Sequence, residues 1–214
     1  HSFPTRRSSD LEINFLDTTN EDGERVYFRV MSFIFVMACR EIFWDSRVTI
    51  EHSLSDGLYC EVHIDRKLKE ADVENIKNKM KEIVNNDYVI EKIEVTRNEA
   101  ISIFENNEMY EKAELLKYKE YDSAKVYKCR NYIDHFYGYM LPSTGYIKSF
   151  DIKLYNGGVI ILGPSEEDKT LPMKFVPQPK LSSVYYEAEE WSRLMGIDKV
   201  VSLNKIIENN EYGD

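Results

Sequence analysis

The chain has 214 residues, of which 43% are hydrophobic, 13% aromatic and 31% charged, and its net charge is −10. Such a composition excludes a disordered chain, and the length allows one large core or two small ones. The negative balance argues against general binding to a phosphate backbone, and three widely spaced cysteines (Cys39, Cys60 and Cys129) without a C-x-x-C point to a reduced, cytoplasmic setting.

HSFPTRRSSDL, His1 to Leu11, reads like a sequencing-adapter oligonucleotide translated in frame, and is set aside as a non-native scar. EINFLD, from Glu12, alternates as a strand does, and TTNEDGE reads as a turn. RVYFRVMSFIFVMACREIF, residues 25–43, is apolar almost all round in its middle, which predicts a helix buried on most sides. Its uncharged run from Val30 to Cys39 falls short of the roughly 20 apolar residues that cross a bilayer, so no membrane partner is expected. Leu58, Cys60, Val62 and Ile64 alternate with Tyr59, Glu61, His63 and Asp65, a strand entered through the Asp56-Gly57 turn.

ADVENIKNKMKEIVNN places Val73, Ile76, Met80, Ile83 and Val84 on one helical stripe. YVIEKIEVT follows as a strand, and Thr96 with Glu99 forms a capping box that opens a helix at RNEAISIFEN. Glu108 to Lys117 is a further short helix; KVYKCRNYIDHF, IKSFDIKLY and GGVIILG are strands. YYEAEEWSRLMG is a helix ending at Gly196, and VVSLNKIIENN is the last helix. Strands and helices in mixed order, without regular βαβ alternation, predict an α+β fold.

One stretch imitates a nucleotide site. VIILGPSEEDKT, Val159 to Thr170, runs an apolar strand into G-x-x-x-x-D-K-T, one letter from a phosphate-binding P-loop. Asp168 stands where the loop needs a glycine for close backbone approach to phosphate. The helix that should follow is denied by Pro172, Pro177 and Pro179, so a strand end and an acidic surface loop are expected.

SDGLYCEV, EADVENIKNKMKEIVNN, VTRNEAISIF and DHFYGYMLPSTGYIKSFDIKLY occur in the order seen in the second additional domain of threonyl-tRNA synthetase, a domain that also serves editing in alanyl-tRNA synthetase. The resemblance runs from about Asp22 to Gly163, and LPSTGYIKSF, Leu141 to Phe150, is its most specific piece. It implies mixed antiparallel sheets packed with helices. In that family the domain carries H-x-x-x-H on a helix and C-x-x-x-H just before the P-S-T-G segment. Such a set can hold zinc tetrahedrally in a cleft that hydrolyses mischarged tRNA. Here the four positions hold Arg29, Phe33, Phe136 and Met140. A guanidinium has no lone pair to give, a phenyl ring no donor atom, and one thioether is a weak ligand alone. The resemblance therefore implies a degenerate metal site and no cofactor in this chain. His52, His63 and His135 have no metal-ligand spacing. Candidates for holding a nucleoside or nucleotide-like molecule in the old cleft are Arg29, Asp134, Tyr137 and Tyr139.

RVYFRVMSFIFVMACREIF, VTIEHSLSDGLYCEV, YGYMLPSTGY and EAEEWSRLMGIDKVVSLN also resemble the N-terminal half of bacterial uridine kinase-like nucleoside kinases. There a small TGS domain and a synthetase-type domain precede a P-loop kinase. The domain plan this implies is a scar at 1–11, a linker strand and turn from a missing TGS-like domain at 12–24, the synthetase-like domain at 25–180, and a helical connector at 181–214. The connector would lead to a missing kinase domain carrying ATP and Mg²⁺. The main expectation is thus a non-catalytic accessory part of a nucleoside kinase, partnered by its own kinase domain. The alternative is an editing-type domain without its metal site, acting as a ligand-binding module.

Overall fold

The computed structural model describes residues 20–54, 57–106, 109–118, 122–136 and 138–177. The sequence-predicted strand at Glu12 and both C-terminal helices lie outside them.

The buried stretch noted above is the middle of helix α1 (Glu21–Ile42), in which every residue from Val30 to Cys39 is buried. Its start lies earlier than the sequence suggested. The Asn20 side chain accepts the Asp22 N–H at 2.9 Å, and Glu21, Asp22 and Glu24 fill the first turn, where the helix dipole favours carboxylates. TTNEDGE is therefore partly helix rather than all turn.

The fold is α+β, with helices packed on antiparallel sheets. After α1 come strands β1 (Arg47–Leu54) and β2 (Gly57–His63), helix α2 (Glu70–Asn85), β3 (Glu91–Thr96), helices α3 (Arg97–Asn106) and α4 (Tyr110–Lys117), then β4 (Ser123–Cys129), β5 (Tyr132–Asp134), β6 (Asp151–Tyr155) and β7 (Gly158–Leu162). One sheet has the order β1-β2-β7-β6 and the other β3-β4-β5. Every pairing within them is antiparallel.

Other local readings change as well, and YVIEKIEVT is strand only from Glu91. Gly57 belongs to β2 rather than to a turn, because it pairs with Leu54 on β1 and Leu162 on β7, and a side chain there would meet Ile160 Cγ1 at 2.8 Å. KVYKCRNYIDHF is not one strand but the β4–β5 hairpin, with Arg130 at φ +54° in its turn and Cys129 opposite Tyr132. IKSFDIKLY is strand only from Asp151. Its hairpin with β7 closes through Asn156 and Gly157, at φ +48° and +83°, the pairing that two-residue turns require. The capping box is formed as read: Thr96 N–H donates to Glu99 at 2.8 Å and Glu99 N–H to Thr96 Oγ1 at 3.3 Å.

The main core joins α1 and the α2 stripe of Val73, Ile76, Met80 and Ile83 to both sheets. A second core packs Ala100 and Phe104 of α3, and Ala113 and Leu116 of α4, on Ala124 and Val126 of β4. Among the described residues no helix is long and apolar enough to cross a membrane.

The P-S-T-G segment has a mechanical role. Thr144 is fully buried; its Oγ1 donates to the Ile83 carbonyl at 2.8 Å and accepts the Tyr88 N–H at 2.9 Å. Asp87 accepts from the Ser143 hydroxyl and from the Gly145 N–H, bonds that hold its carboxyl below the ordinary carboxylate range. A Cβ on Gly145 would lie 2.3 Å from Asp87 Oδ1. The segment thus fastens the end of α2 to the chain leading into β6.

The near P-loop is a compact turn after β7. The Asp168 carboxylate accepts from Thr170 N–H at 2.9 Å and from its hydroxyl at 2.6 Å, and Met173 N–H donates to Gly163 O at 2.9 Å. The backbone is folded on itself there rather than opened around an anion, and no helix follows among the described residues.

Candidate ligand-binding site

Residues four apart on a helix share a face, so α1 presents Arg29 and Phe33 together. The segment after β5 runs across that face. Phe136 meets Phe33 edge to face, with ring centroids 5.9 Å apart at 68°, and Tyr132 closes on Phe33 from β5 at 5.0 Å. Phe33 is fully buried, while Phe136 and Met140 are partly buried against the main core. Aromatic pairs in this arrangement add to the stabilisation that burial alone gives.

Arg29 engages the same segment by its backbone. Its Nη1 donates to the Tyr139 carbonyl, and the guanidinium lies directly under Gly138. Glycine suits this position by its backbone angle and by its close approach to Arg29. Its φ is +93°, and a Cβ would come within 3.0–3.1 Å of three guanidinium atoms. Tyr127 OH donates to the Gly138 carbonyl at 2.5 Å from the other side. Of the sequence candidates, Arg29 and Tyr139 are thereby joined. Tyr137 lies outside the described residues.

Asp134 is placed differently. It is 1% exposed, and its oxygens accept from Tyr132 OH at 2.6 Å, from His135 N–H at 2.7 Å and from the Lys112 ammonium. Burial first, and then this carboxylate, drive the Tyr132 phenol well above its usual range. Lys112 also lies 5.4 Å from the Phe136 ring centroid. Asp134 is the counter-charge that settles a lysine beside the aromatic pair, and its acceptor sites are largely committed to neighbours.

Zinc does not fit the residues present. Arg29 and Phe33, with Phe136 and Met140, offer one soft donor atom between them, and the two rings pack on one another. His63 bonds Thr49 Oγ1 at 3.0 Å on the β1–β2 hairpin, and His135 Nδ1 faces the Lys125 carbonyl at 2.8 Å. The His52 side chain lies outside what is described. Among the described residues no group of three or more His, Cys, Asp or Glu side chains is placed to hold a metal.

Next to the aromatic pair opens a cleft of about 580 Å³. Its walls include Lys92 from β3, Lys125 from β4, His135, Phe136, Gly138 and Tyr139. Lys92 Nζ stands 4.8 Å from the Tyr139 ring centroid and 5.7 Å from that of Tyr127. These lysines were not among the sequence candidates. Their signal was the period-two pattern of β3, in which Lys92 and Glu94 alternate with the core-facing Ile93 and Val95, and in which Glu94 lies opposite Lys125.

No protein-family model matches the chain. Threonine–tRNA ligases do. The enzyme of Caldanaerobacter subterraneus is 28% identical over 149 residues, covering 69% of this chain and 23% of that protein. That of Acetivibrio thermocellus is 30% identical over 146 residues, covering 67% and 23%. That of a Sulfurihydrogenibium species is 31% identical over 163 residues, covering 72% and 24%. The chain spans about a quarter of the length of these curated relatives. Over roughly 70% of its length it is thus a threonyl-tRNA synthetase-like domain, similar to one segment of the threonine–tRNA ligases.

Proposed function

We propose that this chain is a synthetase-type domain that binds an adenosine-like or other nucleoside ligand without hydrolysing anything. The observation that carries the reading is the Phe33–Phe136 pair at 5.9 Å, standing where the resemblance expects metal ligands, beside a cleft of about 580 Å³. Without a donor set there is no activated water held against a bound ester. What persists is a concave site with polar and aromatic walls, the form small-molecule sites take.

The test is incubation of the purified chain with mischarged aminoacyl-tRNA, with and without added zinc. Release of free amino acid at the buffer rate in both is expected. Enzymatic release, or stoichiometric zinc in the purified protein, would overturn the reading.

A second reading places the domain ahead of an ATP- and Mg²⁺-dependent nucleoside kinase in a cytoplasmic protein, as an accessory or regulatory part partnered by that kinase domain. It is favoured by the segments that resemble such kinases, YGYMLPSTGY among them. The relatives named above are ligases, which favours the synthetase-type reading. Sequencing the source DNA past Asp214 separates the two: G-x-x-x-x-G-K-[ST] at a strand-to-helix junction supports a kinase parent, and a stop codon removes it.

A further inference from the structure

The cleft beside the aromatic pair has two chemically different walls. On one side, β3 and β4 turn the same sheet face inward, and Lys92 and Lys125 stand on it near Arg97 at the start of α3. Two carboxylates also line this wall, Glu94 and Asp122. Glu94 accepts from Ser123 Oγ at 2.7 Å and lies opposite Lys125 on the adjacent strand. The formal balance of these five side chains is one positive charge, in a chain whose net charge is −10. Anions should therefore find this spot against the general repulsion of the molecule.

The other wall is Tyr139. Its side chain is mostly free of the core, at 76% relative exposure, yet its backbone is held from two sides. Arg29 grips the Tyr139 carbonyl, and Tyr127 OH holds the preceding carbonyl at 2.5 Å. The ring is stationed over Lys92 at 4.8 Å. A ring that contributes little to the core, on a backbone held at the mouth of a cleft, presents a π-face to a ligand there. Planar heterocycles stack on such faces with little preference among bases, and an ammonium beside the ring receives a phosphate as a point charge.

We propose that this cleft takes a nucleoside monophosphate, with the base stacked on Tyr139 and the phosphate on Lys92. The cleft volume of about 580 Å³ lies within the usual range for small-molecule sites. This assignment rests on the ligand-binding reading above and adds to it a ligand class and two residues with separate roles. Arg29 then acts as a positioning residue, holding the turn that carries the ring, rather than as the group that meets the anion.

The test is calorimetric titration of adenosine 5′-monophosphate and of adenosine into wild type, Tyr139→Ser, Tyr139→Phe and Lys92→Ala. Both positions are exposed, so the variants keep the fold, which circular dichroism checks. Wild type should bind the monophosphate about tenfold more tightly than the nucleoside, with the difference shrinking as salt is raised. Tyr139→Ser should weaken both ligands about tenfold or more, and Tyr139→Phe should restore them. Lys92→Ala should erase the preference for the monophosphate, so that the two ligands bind with similar affinity. Binding that ignores both substitutions overturns this assignment and leaves the ligand-binding reading standing. No binding of either ligand by wild type overturns both.

Discussion

Replacing Thr144 by valine tests the clamp that carries the P-S-T-G segment. Valine matches threonine in volume, so no cavity opens; only the hydroxyl is lost. That hydroxyl serves two backbone groups, the Ile83 carbonyl at 2.8 Å and the Tyr88 N–H at 2.9 Å. Thr144 itself is 0% exposed, so water cannot stand in at its own position. An orphaned buried group costs about 1–3 kcal/mol. The Tyr88 N–H is only part-buried and falls at the low end, so the two together should cost about 2–4 kcal/mol. For a domain of this size that is a fall in Tm of about 5–15 °C. The assay is urea unfolding followed by far-UV circular dichroism, with Thr144→Ser as a control that keeps the hydroxyl and loses about 1 kcal/mol or less. The m-value should be unchanged. A Thr144→Val midpoint indistinguishable from wild type would refute the clamp and leave the segment as a mere connection.

Other expectations follow from the same contacts. Phe33→Ala removes a fully buried ring from between Tyr132 and Phe136, and should cost about 3–5 kcal/mol in the same unfolding assay. Gly138→Ala meets both a φ of +93° and the Arg29 guanidinium at 3.0 Å, and should cost more in thermal unfolding than Gly157→Ala, whose φ is +83° but whose Cβ points into open space. Arg66 clasps Asp72 through two bonds of 2.6 and 2.8 Å, and together with the Lys69 N–H this lowers the Asp72 carboxyl from 3.8 to about 2. A depressed folded-state value means stability that is present above pH 3.8 and lost as pH falls toward 2. Arg66→Met should therefore lie below wild type in stability at pH 6 and converge with it near pH 2, and curves that stay parallel throughout would count against the pair.

The fold was largely legible because most of its elements obey one period over enough residues. The α2 stripe, the Thr96–Glu99 capping box and the buried middle of α1 are local patterns, and the structure keeps them. The readings that changed depend on something outside the local window. The start of α1 turned on the Asn20 cap, the break between β4 and β5 on a non-glycine residue at positive φ, and the placement of Gly57 on pairing with a strand more than a hundred residues away. The resemblance drew attention to Arg29 with Tyr139, and to Phe33 with Phe136, across a separation of more than a hundred residues that no periodicity could bridge. The lysines of the cleft were hidden for the opposite reason. On a strand of alternating polarity Lys92 looks like any solvated residue, and only the return of the chain over that face gives it Tyr139 as a neighbour. Asp134 was visible as a carboxylate, but its burial and its tie to Lys112 were not.

The proposed site is a synthetase-like cleft that takes an adenosine-like ligand without a metal. The most direct measurement is equilibrium titration of a non-hydrolysable aminoacyl-adenosine analogue into the wild-type chain, once in chelator and once with excess zinc. Saturable binding of one equivalent, with the same affinity in both, is expected. Binding that appears only with zinc, or none in either, would contradict it.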